Sequence, residues 1–216
     1  MEKQISFSTI KFKDLKQLVE LIPKVGNDVF DKWFLFDFPL TESDMIFLES
    51  LIEENQIRMP YYSEEELKMK FIGPLINRVN FNFGRVTDWY ERPISGKIND
   101  VEISGQTDFL VAKGYDEPEL PYFFIQEFKP SRKGSDPEIQ LVAELLIAIE
   151  QNKWEEMIGT TIVGKVWDFI LIRKVGKNRY DYFKSVGFNA LNKEDLKKLF
   201  IALQAVKADI KAKVES

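Results

Sequence analysis

The run IQLVAELLIAIEQN at positions 139–152 restricts the fold more than any other part of the chain. Apolar residues lie on nearly every side of the helix that this run predicts, so the helix has to be buried. Ser135 or Asp136 is expected to cap it, with Pro137 at its first position. The rest of the chain must therefore supply elements that cover it.

Extended segments precede and follow this helix. Segments 85–94, 101–112 and 122–129 are predicted to form an antiparallel meander, and the strands IGTTIVG, KVWDFILIRKV and RYDYFKSV come later. Further helices are predicted after Thr41 or Ser43, after the capping box that begins at Ser63, and after Asn192. The predicted class is α/β: an α-β-β-β-α-β core with a mixed central sheet flanked by helices, plus N-terminal and C-terminal helical additions.

The chain of 216 residues is predicted to form a single domain, because no segment rich in Pro, Gly or Ser divides it. Residues 1–60 are expected to be an N-terminal packing extension, 61–175 the core, and 176–216 a C-terminal strand and helix. Hydrophobic residues make up 44% and charged residues 30% of the chain, which excludes disordered and fibrous classes.

The chain contains neither cysteine nor histidine. Their absence excludes disulfides, thiolate nucleophiles, Ser-His-Asp catalysis and zinc held by sulfur or imidazole. Any chemistry is left to carboxylates, Lys, Arg, Tyr, hydroxyls or a bound hard cation. The N-terminus lacks an apolar signal segment, and no stretch is apolar enough to span a bilayer. We therefore expect a cytoplasmic protein that does not associate with a membrane.

Two ionisable residues, Glu127 and Lys129, end the apolar strand YFFIQEFK. Side chains alternate in a strand, so both are expected on one face together with Phe123 and Ile125. A hairpin turn centred at 117–118 would set Asp108 directly across from Glu127 on the neighbouring strand.

Opposed carboxylates repel each other, so we expect a cation between Asp108 and Glu127. Oxygen ligands favour Mg²⁺, with Mn²⁺ as a substitute, and Lys129 would orient the attacking water or neutralise charge on a phosphate. The alternative is an ordinary exposed strand end in which Glu127 and Lys129 form a weak surface pair.

Further polar residues fall on faces that ought to be apolar. On the buried helix, Gln140, Glu144 and Gln151 project within about 40° of one another. Glu64, in the triple Glu after Ser63, is expected on the inward face of its helix. The alternatives are helix-dipole stabilisation for Glu64 and a hydrogen bond to backbone for Gln140.

Taken together, the segments SEEELKMKFIGPLI, GQTDFLVAKG, FIQEFKP and DPEIQLVAELLIAIEQN resemble the PD-(D/E)xK nuclease superfamily, also called restriction-endonuclease-like. Within it, the chain looks most like the N-terminal nuclease domain of type I restriction motor subunits and related stand-alone proteins. The resemblance covers about residues 60–175, with Thr107-Asp108 in place of the Pro-Asp pair. It implies a restriction-endonuclease-like core and Mg²⁺-dependent hydrolysis of phosphodiester bonds.

The resemblance also implies roles for individual residues. Asp108 and Glu127 would bind the metal together with the main-chain carbonyl of Phe128, and Lys129 would be the catalytic lysine. Glu64 would match the acid of the first helix, and Gln140 the glutamine of the helix that follows the motif.

Nucleic acid, expected to be DNA, is the predicted partner, and a homodimer is left open. The net charge of −5 means that a phosphate-binding face has to be local. Arg132 and Lys133 follow the motif, and a second basic set, for which ordinary solvated charge is the favoured alternative, comprises Lys165, Arg173, Lys174, Lys177 and Arg179.

Two other functions stay open. The first is a catalytically inactive nuclease-like scaffold that serves as a binding or assembly module through the aromatic residues of VFDKWFLFDF, where we expect exposed rings. The second is an enzyme that acts on a different phosphorylated substrate with the same metal site.

Overall fold

A computed structural model describes residues 4–131 and 136–215 as an α/β fold built on a nine-stranded mixed sheet. The strands are β1 (Gln4–Ser6), β2 (Glu20–Lys24), β3 (Val86–Ile98), β4 (Val101–Lys113), β5 (Glu119–Lys129), β6 (Glu156–Val163), β7 (Val166–Gly176), β8 (Arg179–Lys184) and β9 (Phe188–Asn189). The helices are α1 (Phe12–Leu18), α2 (Asp31–Phe34), α3 (Glu42–Asn55), α4 (Glu64–Leu67), α5 (Gly73–Val79), α6 (Pro137–Asn152) and α7 (Lys193–Glu215). A π-helical turn, Lys68–Ile72, joins α4 to α5. Short 3₁₀ turns lie at Phe7–Thr9, Asp28–Phe30 and Met59–Tyr61.

The strands follow the order β1-β4-β5-β6-β7-β8-β2, with β3 also paired to β4 and β9 to β7. Strands β3, β4 and β5 form the predicted antiparallel meander, and β6 pairs with β5 in parallel after the crossover through α6. This crossover explains why α6 is apolar on so many sides, since it packs on the sheet within the fold.

The predicted helix caps are confirmed. The side chains of Thr41 and Ser63 accept hydrogen bonds from backbone amides at the starts of α3 and α4. Asp136 caps α6, and Asn192 accepts amide hydrogen bonds at the start of α7. Ser135, the alternative cap of α6, lies outside the described residues.

The first 60 residues differ from the prediction of helical additions. Alongside short helices they supply β1, parallel to β4, and β2, parallel to β8. These strands span only three and five residues, too short for the alternation that marks a strand in a sequence. Their extended conformation is stabilised by partners from distant parts of the chain.

Two buried clusters cover the sheet, and alternate residues of each central strand enter one or the other. The first core joins β4–β7 to α3, α5 and α7 and includes Phe109 and Phe128. The second core joins the sheet to α6 and to the N-terminal segment and includes Leu110 and Ile125. Within the described ranges, no helix has both the length and the apolar character needed to cross a lipid bilayer.

The prediction that Phe123 shares a face with Ile125 is wrong. The register shifts between Val111, which pairs with Phe124, and Ala112, which pairs with Tyr122. Phe123 is therefore left without a partner on β4 and packs in the first core beside Phe124, its ring 5.8 Å from that of Trp154. A bulge of this kind reverses the alternation that precedes it.

The expectation of exposed rings in VFDKWFLFDF is also wrong. Phe30 and Trp33 are buried in the first core, and Phe34, Phe36 and Phe38 are partly buried against it. These rings pack on α7 and β7, as the edge contacts of Phe38 with Phe200 and of Phe34 with Phe169 show.

Candidate active site

The candidate site forms where β4 and β5 separate. Phe109 pairs with Gln126, so Asp108 and Glu127 come next across the ladder, as the sequence predicts. There, side chains replace the backbone ladder: the amide of Asp108 donates to Glu127 Oε1 at 3.0 Å, and the amide of Phe128 donates to Asp108 Oδ2 at 2.9 Å. Two carboxylates therefore occupy the space between the strands.

The separation continues along both strands. Residues Glu127–Lys129 of β5 pair with Thr161–Val163 of β6. Because β3 pairs along one edge of β4, the other edge of β4 takes β5 at one end and β1, at Glu102–Ser104, at the other. The gap between β1 and β5 leaves Asp108 open to side chains from both faces of the sheet.

Helices on opposite faces reach this gap. From α4, on the side of the first core, Glu64 accepts hydrogen bonds from Lys129 Nζ at 3.3 and 3.4 Å. From α6, on the side of the second core, Gln140 Nε2 donates to Glu144 Oε1 at 3.4 Å. The predicted residues Asp108, Glu127, Lys129, Glu64 and Gln140 therefore surround one place.

Glu127 is completely buried, with 0% exposure. Burial, followed by the negative charges of Glu144 and Asp108, raises the pKa of Glu127 well above its ordinary value of 4.5. Glu127 Oε1 accepts the amide of Asp108, whereas Oε2 has no hydrogen-bond donor. Uncompensated buried carboxylate oxygens are costly, so a proton or a cation would stabilise this oxygen.

Glu144 is equally buried and borders Glu127. Burial and the charge of Asp108 raise the pKa of Glu144 well above 4.5, although hydrogen bonds with Glu127 and Gln140 act in the opposite direction. Glu144 Oε2 has no donor. The carboxyl groups of Glu127 and Glu144 therefore titrate as a pair, and burial favours the protonated form of each.

Lys129 is the cation of the cluster. Its burial alone would lower its pKa, but the charges of Asp108 and Glu64 and the hydrogen bond to Glu64 outweigh that effect and raise the pKa of Lys129. The ammonium therefore stays protonated beside the carboxylates and can donate hydrogen bonds to an anionic group.

The carboxylate oxygens of Asp108 and Glu127 fit a hard cation as ligands. Each carboxylate is oriented by one backbone amide, and Glu127 Oε2 is left without a partner. In the part of the chain that the structure describes, however, no three acidic side chains are arranged to hold one ion. An ion here would therefore take two carboxylates, with main-chain oxygen and water as its other ligands.

The structure adds two residues to the predicted set. The sequence pattern marks Glu144 only as part of a polar stripe, as one acid inside an otherwise apolar stretch of α6. Lys68, whose side chain is 11% exposed, lies over the Phe128 ring at 5.4 Å, and no sequence signal pointed to it. Gln151, the third member of the stripe, instead donates to the carbonyl of Ser95 at 2.6 Å.

Of the predicted basic residues, only the second set lies in the part of the chain that the structure describes. Arg132 and Lys133 lie outside the described residues. In the second set, Arg173 pairs with Glu156 at 2.9 Å, Lys174 with Glu150 at 2.7 Å and Arg179 with Glu20 at 3.4 Å, whereas Lys165 and Lys177 are exposed. These pairs favour the alternative of ordinary surface charge.

Comparison with known proteins adds no relative. No protein-family model matches the chain, and no curated protein shows significant similarity to it. The function has to be argued from the site itself.

Proposed function

We propose that this protein is a metal-dependent nuclease that hydrolyses phosphodiester bonds of DNA on a restriction-endonuclease-like core. The observation that carries the proposal is the meeting of Asp108 and Glu127 at the separation of β4 and β5, with Lys129 beside them and Glu127 Oε2 lacking a donor. The order of α4, α5, β3, β4, β5, α6 and β6 along the chain also agrees with the core that the sequence resemblance implies.

In this proposal, Asp108, Glu127 and the main-chain carbonyl of Phe128 hold Mg²⁺. The bound cation would supply Lewis acidity and acidify a water molecule. The backbone amides of Asp108 and Phe128 orient the two carboxylates before any ion binds, which reduces the cost of assembling the site.

Lys129 donates hydrogen bonds to the attacking water or to a phosphate oxygen. Its charge is secured by Asp108 and Glu64, so it offers a fixed positive group where negative charge grows during hydrolysis. Glu64 is a positioning residue, since it touches Lys129 and directs the ammonium. Gln140 positions Glu144, which in turn borders Glu127.

Cleavage assays test the proposal. Plasmid, linear duplex and single-stranded DNA are incubated with the protein in Mg²⁺ or Mn²⁺, and we expect cleavage by the wild type that EDTA abolishes. Lys129→Ala should lower the rate by about 100-fold or more. Lys184→Ala is the matched control, because Lys184 is another strand lysine paired with a glutamate, at 2.6 Å. A wild-type rate no higher than that of correctly folded Lys129→Ala would refute the proposal.

A second candidate, an inactive scaffold with binding or assembly as its role, is favoured by two observations. Lys129 is engaged by Glu64, and within residues 4–131 and 136–215 no group of three acids surrounds a metal position. Calorimetric titration with Mn²⁺ separates the candidates. Binding of Mn²⁺ to a functional site should release or absorb heat, and Asp108→Asn should remove that signal. A vestigial site should show no binding in the wild type or in Asp108→Asn.

A further inference from the structure

Lys68 occupies a position between the candidate site and a neighbouring cleft. It begins the π-helical turn, a rare conformation that recurs at functional sites, and its side chain is 11% exposed. Its Nζ lies 5.4 Å from the centre of the Phe128 ring and 3.7 Å from Glu65 Oε1, and it donates a hydrogen bond to Glu91. A nearly buried ammonium is thus held beside the residue that separates Glu127 from Lys129.

Glu91 ties Lys68 to Asp108. On β3, Tyr90 pairs with Phe109 and Arg92 with Thr107, so Glu91 lies opposite Asp108. Its φ of 53° falls in the left-handed region, which a residue with a side chain adopts only when its surroundings impose it. Burial would lower the pKa of Lys68, but the hydrogen bond and charge of Glu91, followed by the charges of Glu65 and Asp108, raise it.

The cleft next to Lys68 has a volume of about 470 Å³, and its lining includes Lys68, Asn77 and Tyr90 together with two acids, Glu65 and Glu91. Its volume lies within the range of small-molecule sites. Tyr90 forms an aromatic wall, and its orientation is fixed by an edge contact with Phe109, the residue after Asp108, at a centroid distance of 5.2 Å. One cleft therefore combines a cation, an amide and an aromatic ring next to a candidate metal ligand.

We propose that this cleft is the subsite for one unstacked nucleotide that adjoins the phosphate at the candidate site. Lys68 binds a phosphate oxygen, and a base stacks on Tyr90. The inference rests on the proposed nuclease function and extends it to a substrate form. A base inside a duplex cannot reach a recessed ring without leaving the stack, so the subsite selects single strands or frayed ends.

Glu91 and Glu65 hold Lys68 when nucleic acid is absent. Their carboxylates take the place of phosphate oxygens, and an arriving phosphate has to displace them. Neutralising Glu91 should therefore strengthen the binding of nucleic acid, whereas neutralising Lys68 should weaken it. These opposite effects distinguish a direct role in binding from loss of the ion pair as a structural element, which would give both variants the same direction of change.

The test is fluorescence anisotropy with a labelled oligothymidine of about 15 nucleotides and a blunt duplex of the same length, in EDTA and again in Ca²⁺. Lys68→Gln should weaken single-strand binding about tenfold and reduce the slope of log Kd against log salt by about 0.7. Lys70→Gln is the matched control, because Lys70 lies on the same helical turn in an exposed pair with Glu66 at 2.8 Å. We expect its affinity to stay within about twofold of the wild type.

Two further variants sharpen the test. Glu91→Gln should bind the single strand several-fold more tightly than the wild type. Tyr90→Leu places a smaller apolar side chain against Phe109 and removes the aromatic face, so it should weaken single-strand binding about tenfold and leave duplex binding unchanged. Thermal unfolding of each variant checks that the fold is retained.

Equal affinities and salt slopes for Lys68→Gln and Lys70→Gln would overturn the subsite, and so would tighter binding of the duplex than of the single strand. The outcome is separable from that of the nuclease proposal. If the wild type cleaves DNA and Lys68→Gln binds normally, only the subsite fails. If the wild type binds but does not cleave, and Lys68→Gln binds weakly, the subsite stands and the nuclease proposal fails.

Discussion

Two of the three glutamates of helix α6 lie in opposite environments. Glu138, in the first turn, accepts hydrogen bonds from the hydroxyl of Tyr182 and from Lys184 Nζ, the latter at 2.6 Å. Glu144, less than two turns further on, is completely buried, and its Oε2 has no hydrogen-bond partner. The same side-chain type on the same helix is therefore compensated in one place and left uncompensated in the other.

The sheet beneath α6 shows the same contrast. Glu127 of β5 pairs with Thr161 of β6, and Thr161 pairs with Asp168 of β7, so the three residues form one row. At one end of the row, Asp168 binds Lys184 at 3.1 Å; at the other end, Glu127 faces Glu144 without a donor for its Oε2. A buried carboxylate that lacks a partner is retained against its energetic cost, which is typical of a site that binds something.

The largest expected difference between the ends of the row is in catalysis. Glu127→Gln should lower the rate of metal-dependent DNA cleavage by about 100-fold or more, because it removes a cation ligand. Asp168→Asn should leave the rate within a few-fold of the wild type, since Asp168 serves only an ion pair. Initial rates in Mg²⁺ at matched protein concentrations measure both. Equal losses of cleavage rate in the two variants would contradict the proposed difference between Glu127 and Asp168.

The next effect is on the stability of the metal-free protein. Glu144→Gln should increase the free energy of unfolding by about 1–3 kcal/mol at neutral pH, because it removes charge from a buried site without a donor for Oε2. Urea unfolding in EDTA measures the change. A decrease of the same size would mean that Glu144 is already compensated, and the contrast with Glu138 would disappear.

The metal-free protein should also lose stability as pH rises. The pKa values of Glu127 and Glu144 are raised by burial above 4.5, their ordinary value, so the folded state holds protons that the unfolded chain releases. From pH 4.5 upward to the raised pKa values, the free energy of unfolding should therefore fall with increasing pH. Urea titrations across this range should give a shallower decline for Glu144→Gln. A rise in stability over the range would contradict the assigned shifts.

The smallest effect is expected at Glu138. Glu138→Gln should lower the free energy of unfolding by about 0.5–1 kcal/mol, because partly exposed ion pairs contribute little and the amide can still accept from Tyr182. Addition of salt at constant pH should reduce the difference from the wild type. An effect larger than that of Glu144→Gln would reverse the ranking of the two sites.

Much of the site was predictable because it depends on local rules. Strand alternation and the hairpin register placed Asp108 across from Glu127, and the pairing of Phe109 with Gln126 confirms that register. The helix caps at Thr41, Ser63 and Asn192 were predictable for the same reason, since each cap depends on residues within one turn.

Features that depend on distant contacts were missed. No sequence signal pointed to Lys68, and its burial results from the packing of its turn against Phe128 and Glu91. The bulge at Phe123 reversed a face assignment, since alternation gives no sign of where an extra residue is inserted. The rings after Val29 were wrongly expected to be exposed, because the sequence does not show that α7 and β7 pack against them.

The sequence by itself determined that the chain has a buried helix, a meander and two acids that meet across a ladder, because these follow from periodicity and spacing along neighbouring segments. Only the tertiary structure decided that β4 and β5 separate at those acids and that Glu64 and Glu144 reach them from opposite faces of the sheet. The physical reason is that β1, which is distant in the chain, pairs along the edge of β4 that β5 has left, while β6 pairs along the opposite edge of β5.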